Sequence, residues 1–326
     1  MTIRKYLLAV LLALASTPAG AQGWAPSKPV EIIVPTTPGG SVDLTARLLQ
    51  KILQDGGLVK VPVTVVNKPG AGGAVSLVYL NQHAGDGHFI ATNTPNIIAN
   101  DINGRTPVRY TDVTPLATLA SQYTALAVRV DSPLKSGKEL IERLRNDPAS
   151  LAVSTPTTLG SVNHMAYALV ARAGGVDVKK LKAVILGSGG EGATAVLGGH
   201  VDAHVGTTSS VIRLVESGKL RVLGIAAPRR IGAPYESTPT WTEQGLPVIM
   251  DTWRGVIGAR DMTREQIAFW NDVLAKAVTH ETWKQALKKN SWEANYLDSD
   301  GTKRVFDANY RDYRSILTDL GLLKER

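Results

Sequence analysis

Residues 30–54, VEIIVPTTPGGSVDLTARLLQKILQ, decide the fold class. The stretch begins with VEIIV, in which four of five residues are apolar, and such a run is typical of a strand buried on both faces. A loop with two prolines and two glycines follows, and beyond it apolar residues recur with helical spacing at Val42, Leu44, Leu48, Leu49, Ile52 and Leu53. Because a strand, a short loop and a helix make half of a βαβ unit, the stretch predicts a largely parallel sheet covered by helices.

The same alternation continues along the rest of the chain. Further strands are predicted at residues 61–66, 89–92, 116–120, 125–130, 151–153, 182–186, 201–205 and 220–226. Further helices are predicted at residues 73–83, 136–145, 162–173, 192–197 and 211–216, and the pattern after residue 228 is helical, at 263–278, 282–289 and 302–320. Residues 101–114 are polar and rich in turn residues, which predicts a loop.

The length of 326 residues favours two domains of roughly 150 residues each. The strands at 125–130 and 220–226 are the candidate crossings between the domains, and the C-terminal helices then return to the first. We therefore expect an α/β fold of two lobes, with mixed sheets flanked by helices. Lobe 1 is predicted to consist of residues 22–125 and 227–326, and lobe 2 of residues 126–226.

The first 21 residues have the pattern of a signal peptide. Arg4 and Lys5 precede an apolar run, YLLAVLLALA, and Ala19-Gly20-Ala21 supplies a cleavage site. The run is shorter than the roughly 20 apolar residues that span a bilayer, although an N-terminus that stays in place as an anchor is the alternative. Cysteine is absent, which excludes a lipid attached at the cleavage point. We predict removal of residues 1–21 and localisation in the periplasm.

The charge pattern argues against a nucleic-acid partner. The formal net charge is +8, but basic and acidic residues are interspersed, without a block of like charges. Aromatic residues make up only 6% of the chain, and they do not interleave with a basic stripe. The basic balance indicates a mild preference for anionic ligands and no nucleic acid.

Two loops rich in glycine, serine and threonine are the candidate binding elements, because each follows a strand and precedes a helix. Glycine lets a backbone approach a ligand, and a helix N-terminus offers free N–H groups and a positive dipole end. In open α/β sheets, ligands bind beyond the carboxyl ends of strands. The candidate ligand-binding residues are Thr37, Gly39, Gly40, Ser41, Asp43, Thr155, Thr157, Thr158, Ser161 and His164, with Thr207 at the end of a later strand. For Asp43 we favour a structural role, accepting backbone N–H groups, over direct ligand contact.

Two other patterns suggest different chemistry only weakly. Residues 187–192 match G-x-G-x-x-G, but the helix after them is short and no acid stands about 20 residues beyond, so no dinucleotide cofactor is expected. His200, Asp202 and His204 would share one face of a predicted strand, but no H-E-x-x-H motif is present, so no metal is expected. G-x-S-x-G and S-x-x-K are also absent, and no catalytic residue is proposed. We predict that the protein is not an enzyme.

Several motifs occur together in this sequence. P-x-x-P-G-G-x-x-D-x-x-A-R is present as Pro35, Pro38, Gly39, Gly40, Asp43, Ala46 and Arg47. N-K-P-G-A-G-G occupies residues 67–73, and P-T-x-x-E-x-G-L-P occupies residues 239–247. D-G before an aromatic segment, and W-x-G, are present as Asp86, Gly87, Trp253 and Gly255. In this combination, over nearly the whole mature chain, the sequence resembles the tripartite tricarboxylate transporter receptors, the Bug family of periplasmic binding proteins.

The resemblance implies a hinged, type II-like periplasmic binding protein fold with a ligand cleft between the lobes. It also implies a carboxylate held by backbone N–H groups, hydroxyls and water, and delivery of that ligand to the membrane permease subunits of a tripartite transporter. We expect a monomer. The loop at residues 154–164 departs from the family's shorter Gly-rich turn, and residues 184–190 lack the family's tyrosine. Both departures lie on the ligand side and leave the identity of the ligand open.

The sequence therefore predicts a periplasmic receptor for a small organic carboxylate, such as a di- or tricarboxylate. An aromatic carboxylate is an alternative ligand, and extracytoplasmic sensing is an alternative role for the same fold. An exported hydrolase would need a nucleophile close to a base, and the sequence offers no such pair.

Overall fold

The computed structural model describes residues 23–323, so the predicted signal peptide, residues 1–21, lies outside the described residues. The strands in this range are β1 (Val30–Val34), β2 (Val63–Asn67), β3 (Phe89–Asn93), β4 (Thr114–Ser121), β5 (Thr124–Arg129), β6 (Val153–Pro156), β7 (Ala183–Leu186), β8 (Ala203–Thr207), β9 (Leu220–Ile225), β10 (Arg254–Gly258) and β11 (Glu293–Leu297). The helices are α1 (Ser41–Asp55), α2 (Ala74–Asn81), α3 (Asn96–Ile102), α4 (Gly137–Asn146), α5 (Val162–Ala173), α6 (Gly189–Leu197), α7 (Thr208–Glu216), α8 (Arg264–Thr279), α9 (Glu281–Lys289) and α10 (Ser299–Asp319). Between residues 23 and 323, no helix combines the length and the apolar character that crossing a membrane requires.

The described strands form two mixed sheets, which confirms the predicted fold class. The first has the order β11-β4-β10-β3-β1-β2, and the second has the order β7-β6-β8-β5-β9. β1 pairs in parallel with β2 and β3, and β6 pairs in parallel with β7 and β8. In each sheet the remaining pairs are antiparallel, because the chain crosses between the sheets after β4 and returns before β10. The predicted lobe limits at residues 125 and 227 stay a prediction.

β1 is buried on both faces, as its apolar run predicts. Ile32 packs in a cluster with α1, α8 and α9, where Leu49 and Trp270 are also buried. Ile33 faces the opposite side and packs in a cluster that includes Leu80 and Phe306. Successive residues of a strand point to opposite faces, so the consecutive apolar residues 32–34 require helices on both sides of the sheet.

The C-terminal region contains strands that the sequence pattern does not predict. The pattern after residue 228 is helical, yet β10 and β11 lie in this region and complete the first sheet. β10 reads RGVIG and lies between β3 and β4, and β11 reads EANYL and pairs with β4. Both are five residues long with glycine or polar residues, so their conformation depends on pairing with strands distant in sequence.

The polar, turn-rich segment predicted at residues 101–114 overlaps the end of α3 at Ile102 and the start of β4 at Thr114. The expected shared strand face at residues 200–204 was wrong. β8 begins at Ala203, so His200 and Asp202 precede the strand and do not share a strand face with His204. His204 is instead fully buried, with its Nδ1 2.9 Å from Ser154 Oγ, and Asp202 accepts the Ala152 N–H.

The His204 ring fills the space left by two glycines. A Cβ on Gly192 would lie 2.2 Å from His204 Cε1, and a Cβ on Gly206 would lie 2.2 Å from His204 Nε2. Burial lowers the pKa of His204 to about 4, so the ring is neutral at neutral pH. The small residues at 192 and 206 are therefore explained by packing around the His204 ring.

We expect Gly192→Ala to lower the free energy of unfolding by about 2 kcal/mol, because the added methyl group overlaps a rigid, buried ring. Gly232→Ala is the matched control, since a Cβ at that position meets nothing within 4 Å. Urea denaturation of the two variants measures the difference. Equal stability of both variants would contradict the packing role assigned to Gly192.

Candidate functional site

A cavity lies where the loops of the two sheets meet. It encloses about 770 Å³, counting the part open to solvent. Residues from the first sheet and its loops line one side, among them Pro35, Ser41 and Asn93, and residues from the second line the other, among them Thr157 and Ser188. The cavity therefore occupies the cleft that a two-lobe binding fold provides.

Helix N-termini from both sheets meet at this cavity. Ser41 and Val42 of α1 line it from the first sheet, together with Gly73, which precedes α2. From the second sheet, Ser188 and Gly189 line it at the start of α6. Asn163 in the first turn of α5 and Thr207 before α7 complete this side. Free N–H groups and the positive ends of helix dipoles favour a bound anion.

The loop before α1 is shaped by Asp43, which is 2% exposed. Its carboxylate accepts hydrogen bonds from Gly39 N at 3.0 Å, Arg47 Nε at 2.9 Å and Asn67 Nδ2 at 2.9 Å. Burial opposes ionisation of Asp43, but the hydrogen bonds from Arg47, Gly39 and Asn67 outweigh it and hold the pKa of the carboxyl group below its usual value. Asp43 does not line the cavity and acts on the loop through its hydrogen bonds.

The two sides of the cleft are in direct contact. A Cβ on Gly40 would lie 3.3 Å from Ser188 Cβ, and Thr37 Oγ1 donates to Glu191 Oε1 at 2.7 Å. Asn96 donates from Nδ2 to Thr157 Oγ1 at 3.2 Å and accepts the Val162 N–H at its Oδ1 at 3.0 Å. These bonds join loops of the first sheet to loops of the second, so the two sides of the cleft are held together in this structure.

The described cavity wall combines aliphatic and neutral polar side chains. Among the described residues that line it, none is Asp, Glu, Lys, Arg or His. Some buried polar atoms in the wall have no hydrogen-bond partner: Thr36 Oγ1, Gln122 Nε2, Asn163 Oδ1 and Thr252 Oγ1. Buried polar groups are normally paired, so a set of unpaired groups around one cavity indicates a place for polar ligand atoms or water.

The structure brings only some of the predicted site residues to the cavity. Gly40, Ser41, Thr157 and Thr207 line it. Thr37, Gly39 and Asp43 lie behind them in the first loop, with the contacts given above. Thr155 is fully buried, and Thr158 donates to Asn100 Oδ1 at 3.0 Å.

Ser161 and His164 support the second loop from behind. Ser161 caps α5 by accepting the His164 N–H, and it donates to the Pro156 carbonyl oxygen at 3.2 Å. His164 Nδ1 accepts the Gly160 N–H at 3.0 Å. Burial lowers the pKa of His164 to about 4, with a smaller contribution from Arg105, so the ring accepts this bond in its neutral form.

Sequence reasoning missed the carboxamide side chains of the site. Asn93 and Asn100 line the cavity from β3 and α3, Gln122 lines it from the crossing between the sheets, and Asn163 lines it from α5. Asn93 stands at the carboxyl end of β3, where the rule on ligand sites in α/β sheets could have found it. Gln122 carries no comparable local signal, because it reaches the cavity only through the crossing.

Thr157 is a strained residue at the cavity wall. It is a β-branched residue with φ +73°, a left-handed conformation that costs roughly 1–2 kcal/mol. Its hydroxyl accepts from Asn96 across the cleft. Strain of this kind persists where surrounding contacts hold it, and it clusters at functional sites.

We therefore expect Thr157→Gly to raise the free energy of unfolding by about 1 kcal/mol and to change the ranking of bound acids. Chemical denaturation and calorimetry on one carboxylate panel measure the two effects. We also predict that Thr157 and Thr158 influence selectivity more than folding. An unchanged ranking of bound acids in both Thr157→Gly and Thr158→Ala would contradict that prediction.

The described residues show no arrangement for a metal ion. In residues 23–323, no group of three or more His, Cys, Asp or Glu side chains is placed to share one. His200 and Asp202 lie before β8 and His204 is enclosed in the core, so the pattern at 200–204 does not converge on one point.

A family model and a relative from Bordetella pertussis both match most of this chain. The model of the family described as tripartite tricarboxylate transporter family receptor matches residues 46–322. BugT of Bordetella pertussis is 27% identical over 258 residues, which cover 78% of this chain and 77% of BugT.

Solved structures share the fold. MatC from Rhodopseudomonas palustris with bound malate has a TM-score of 0.81 and 22% identity, over 90% of this chain and 99% of that one. A second R. palustris protein, solved with adipate, has a TM-score of 0.83 and 24% identity, over 91% of this chain and 98% of that one. At these identities the two structures establish the two-lobe architecture.

Proposed function

Because the chain belongs to the tripartite tricarboxylate transporter receptor family, we propose that it captures a small organic carboxylate in the periplasm and delivers it to the membrane permease subunits of such a transporter. The family consists of solute-binding receptors. The resemblance to the Bug family that the sequence motifs indicated is confirmed. The similarity to proteins solved with malate and adipate supports a carboxylate as the ligand.

One observation carries the proposal: helix N-termini from both sheets meet at a cavity whose described wall contains no charged side chain. A carboxylate there would gain N–H donors and favourable dipoles and would meet no acidic group. Neutral donors also satisfy an anion without the desolvation cost of a buried ion pair. Delivery to a permease rests on the family and is the less direct part of the proposal.

The lining also favours an aliphatic acid over an aromatic one. No Phe, Tyr or Trp is present among the described residues of the cavity wall. Aromatic ligands are commonly held by stacking on aromatic side chains, which this wall does not offer. The wall instead offers amide and hydroxyl side chains beside aliphatic ones, and the amide and hydroxyl groups match carboxylate and hydroxyl groups on a short chain.

A thermal-shift screen of the purified protein tests the proposal. The panel contains malate, succinate, adipate, citrate, glutamate and benzoate. A ligand at 100 times its Kd adds about 2.7 kcal/mol of stability, enough to raise the unfolding midpoint by several degrees. We expect a shift with at least one aliphatic acid and none with benzoate. No shift with any acid, and no binding by calorimetry, would contradict carboxylate capture.

A further inference from the structure

Arg254 is a buried cation with no carboxylate partner. Its side chain is 1% exposed, and within residues 23–323 the structure shows no ion pair to it. Nη1 donates to the Ser41 carbonyl oxygen at 2.8 Å and to Thr45 Oγ1 at 3.1 Å, and the guanidinium lies 4.3 Å over the Trp292 ring. Burial lowers the pKa of Arg254 to about 9, so it remains protonated at neutral pH. A buried charge of this kind is costly unless a negative group lies nearby.

Arg254 connects to the cavity through two hydrogen bonds. Its Nη2 donates to Ser209 Oγ on α7 at 3.2 Å, and Ser209 Oγ donates to Gln122 Oε1 at 2.7 Å. Arginine has only donors, so it leaves the single hydroxyl hydrogen of Ser209 for another acceptor. Gln122 is the nearer acceptor, since Thr207 Oγ1 is 3.3 Å away. The carboxamide of Gln122 therefore presents its oxygen to Ser209.

The opposite end of the Gln122 carboxamide faces the cavity without a partner. Gln122 is 1% exposed, lines the cavity, and has no hydrogen-bond partner at Nε2. Thr252 lies beside it, because the Thr252 N–H donates to the Gln122 carbonyl oxygen at 2.7 Å. Thr252 also lines the cavity, and its buried Oγ1 has no hydrogen-bond partner. Two buried donors are thus held together where the chain crosses between the sheets.

We propose that Gln122 Nε2 and Thr252 Oγ1 donate to a carboxylate of the bound acid, and that Arg254, acting through Ser209, is the positioning residue that fixes the Gln122 carboxamide. This inference rests on the proposed function and adds a subsite on the floor of the cleft. The ligand carboxylate supplies the negative charge that Arg254 lacks within the described residues. Arg254 does not itself line the cavity.

A double-mutant cycle tests the arrangement, with malate, adipate and citrate as probes in calorimetry. We expect Gln122→Met to lower the affinity for these acids by about 10- to 100-fold, the loss expected for a hydrogen bond to a charged group. Ser209→Ala alone should lower the affinity for the same acids by about fivefold. In the Gln122→Met background, Ser209→Ala should change affinity by less than about twofold, because Ser209 acts through Gln122.

Gln54→Met is the matched control, since Gln54 is exposed on α1, and it should bind like the unaltered protein. Affinity of Gln122→Met within about twofold of the unaltered protein would overturn the subsite. Additive losses from Ser209→Ala and Gln122→Met would overturn the positioning role, since a merely structural effect of Ser209 adds in both backgrounds. An unaltered protein that binds no acid of the thermal-shift panel would contradict the proposed function, and the subsite with it.

Discussion

Gly72→Ala is expected to weaken carboxylate binding by at least about tenfold while the protein still folds. Gly72 lies in the loop before α2 at the cavity wall, with φ +67°. A Cβ at this position would lie 2.4 Å from Thr158 Cγ2, which belongs to the opposite side of the cleft. The overlap exists only while the two sides are in contact, so the added methyl group penalises closure.

The size of the effect follows from the cost of overpacking. Inserting a methyl group into a close contact costs roughly 1–3 kcal/mol, and each 1.4 kcal/mol is a factor of about ten in an equilibrium constant. A receptor that binds best when closed loses affinity by the same factor. Alanine at a left-handed position also costs roughly 1–2 kcal/mol of folding stability, and calorimetry and denaturation separate the two effects.

A second substitution distinguishes closure from folding. Thr158→Ser removes Cγ2 and keeps the hydroxyl that donates to Asn100. In the Gly72→Ala background it should restore most of the affinity but not the stability lost to backbone strain. Gly70→Ala is the control, because Gly70 has φ +132° and its Cβ would meet Val75 on the same side of the cleft. Failure of Thr158→Ser to restore binding would contradict the closure argument.

The parts of the fold that the sequence predicts are those with local causes. The loop between β1 and α1 was placed correctly, because a buried run, two glycines and a helical repeat are adjacent in the chain. β10 and β11 were not predicted, because neither segment has a sequence pattern that indicates a strand. Each forms a strand by pairing with β4. Short strands that complete a sheet from a distant part of the chain depend on tertiary pairing.

The candidate site shows the same division. Gly40 and Ser41 are identifiable from the sequence, because a glycine-rich turn before a helix has a physical meaning by itself. Gln122 and Thr252 are 130 positions apart, and their donors face one cavity only because the two crossing segments lie side by side. No local pattern marks either residue. Side chains on the connections between lobes therefore need the folded structure to be found.

Asp43→Ala is expected to lower the free energy of unfolding by about 3 kcal/mol. The substitution leaves the Gly39 N–H without its acceptor and removes one of the two hydrogen bonds of Asn67 Nδ2, which still donates to the Thr36 carbonyl oxygen. A lost hydrogen bond to a charged group contributes roughly 1.5–3 kcal/mol. Arg47 loses little, because its side chain is about half exposed. Urea denaturation measures the change, and Asp55→Ala, which removes an exposed acid from the same helix, should cost less than about 0.5 kcal/mol.

The contribution of Asp43 to the free energy of unfolding should decrease as the pH falls. Its pKa is lower in the folded protein than in the unfolded chain, so the unfolded state binds the proton more readily. The stabilisation is therefore complete above the ordinary carboxyl range near pH 4 and is lost as the pH falls through the folded pKa. The difference in stability between the unaltered protein and Asp43→Ala should shrink between pH 5 and the acid limit of folding, while the Asp55→Ala difference stays small throughout.

Binding supplies the second measurement on Asp43, because the carboxylate shapes the loop without lining the cavity. Asp43→Asn retains an oxygen that can accept from Gly39 or Asn67 but loses the charge, so it should lie between the unaltered protein and Asp43→Ala in both stability and affinity. Loss of the hydrogen bond to Gly39 leaves the loop before α1 less ordered. Its N–H donors must then be ordered each time a ligand binds, which lowers the affinity. Unchanged affinity and unchanged stability in Asp43→Ala would mean that the first loop keeps its shape without this carboxylate.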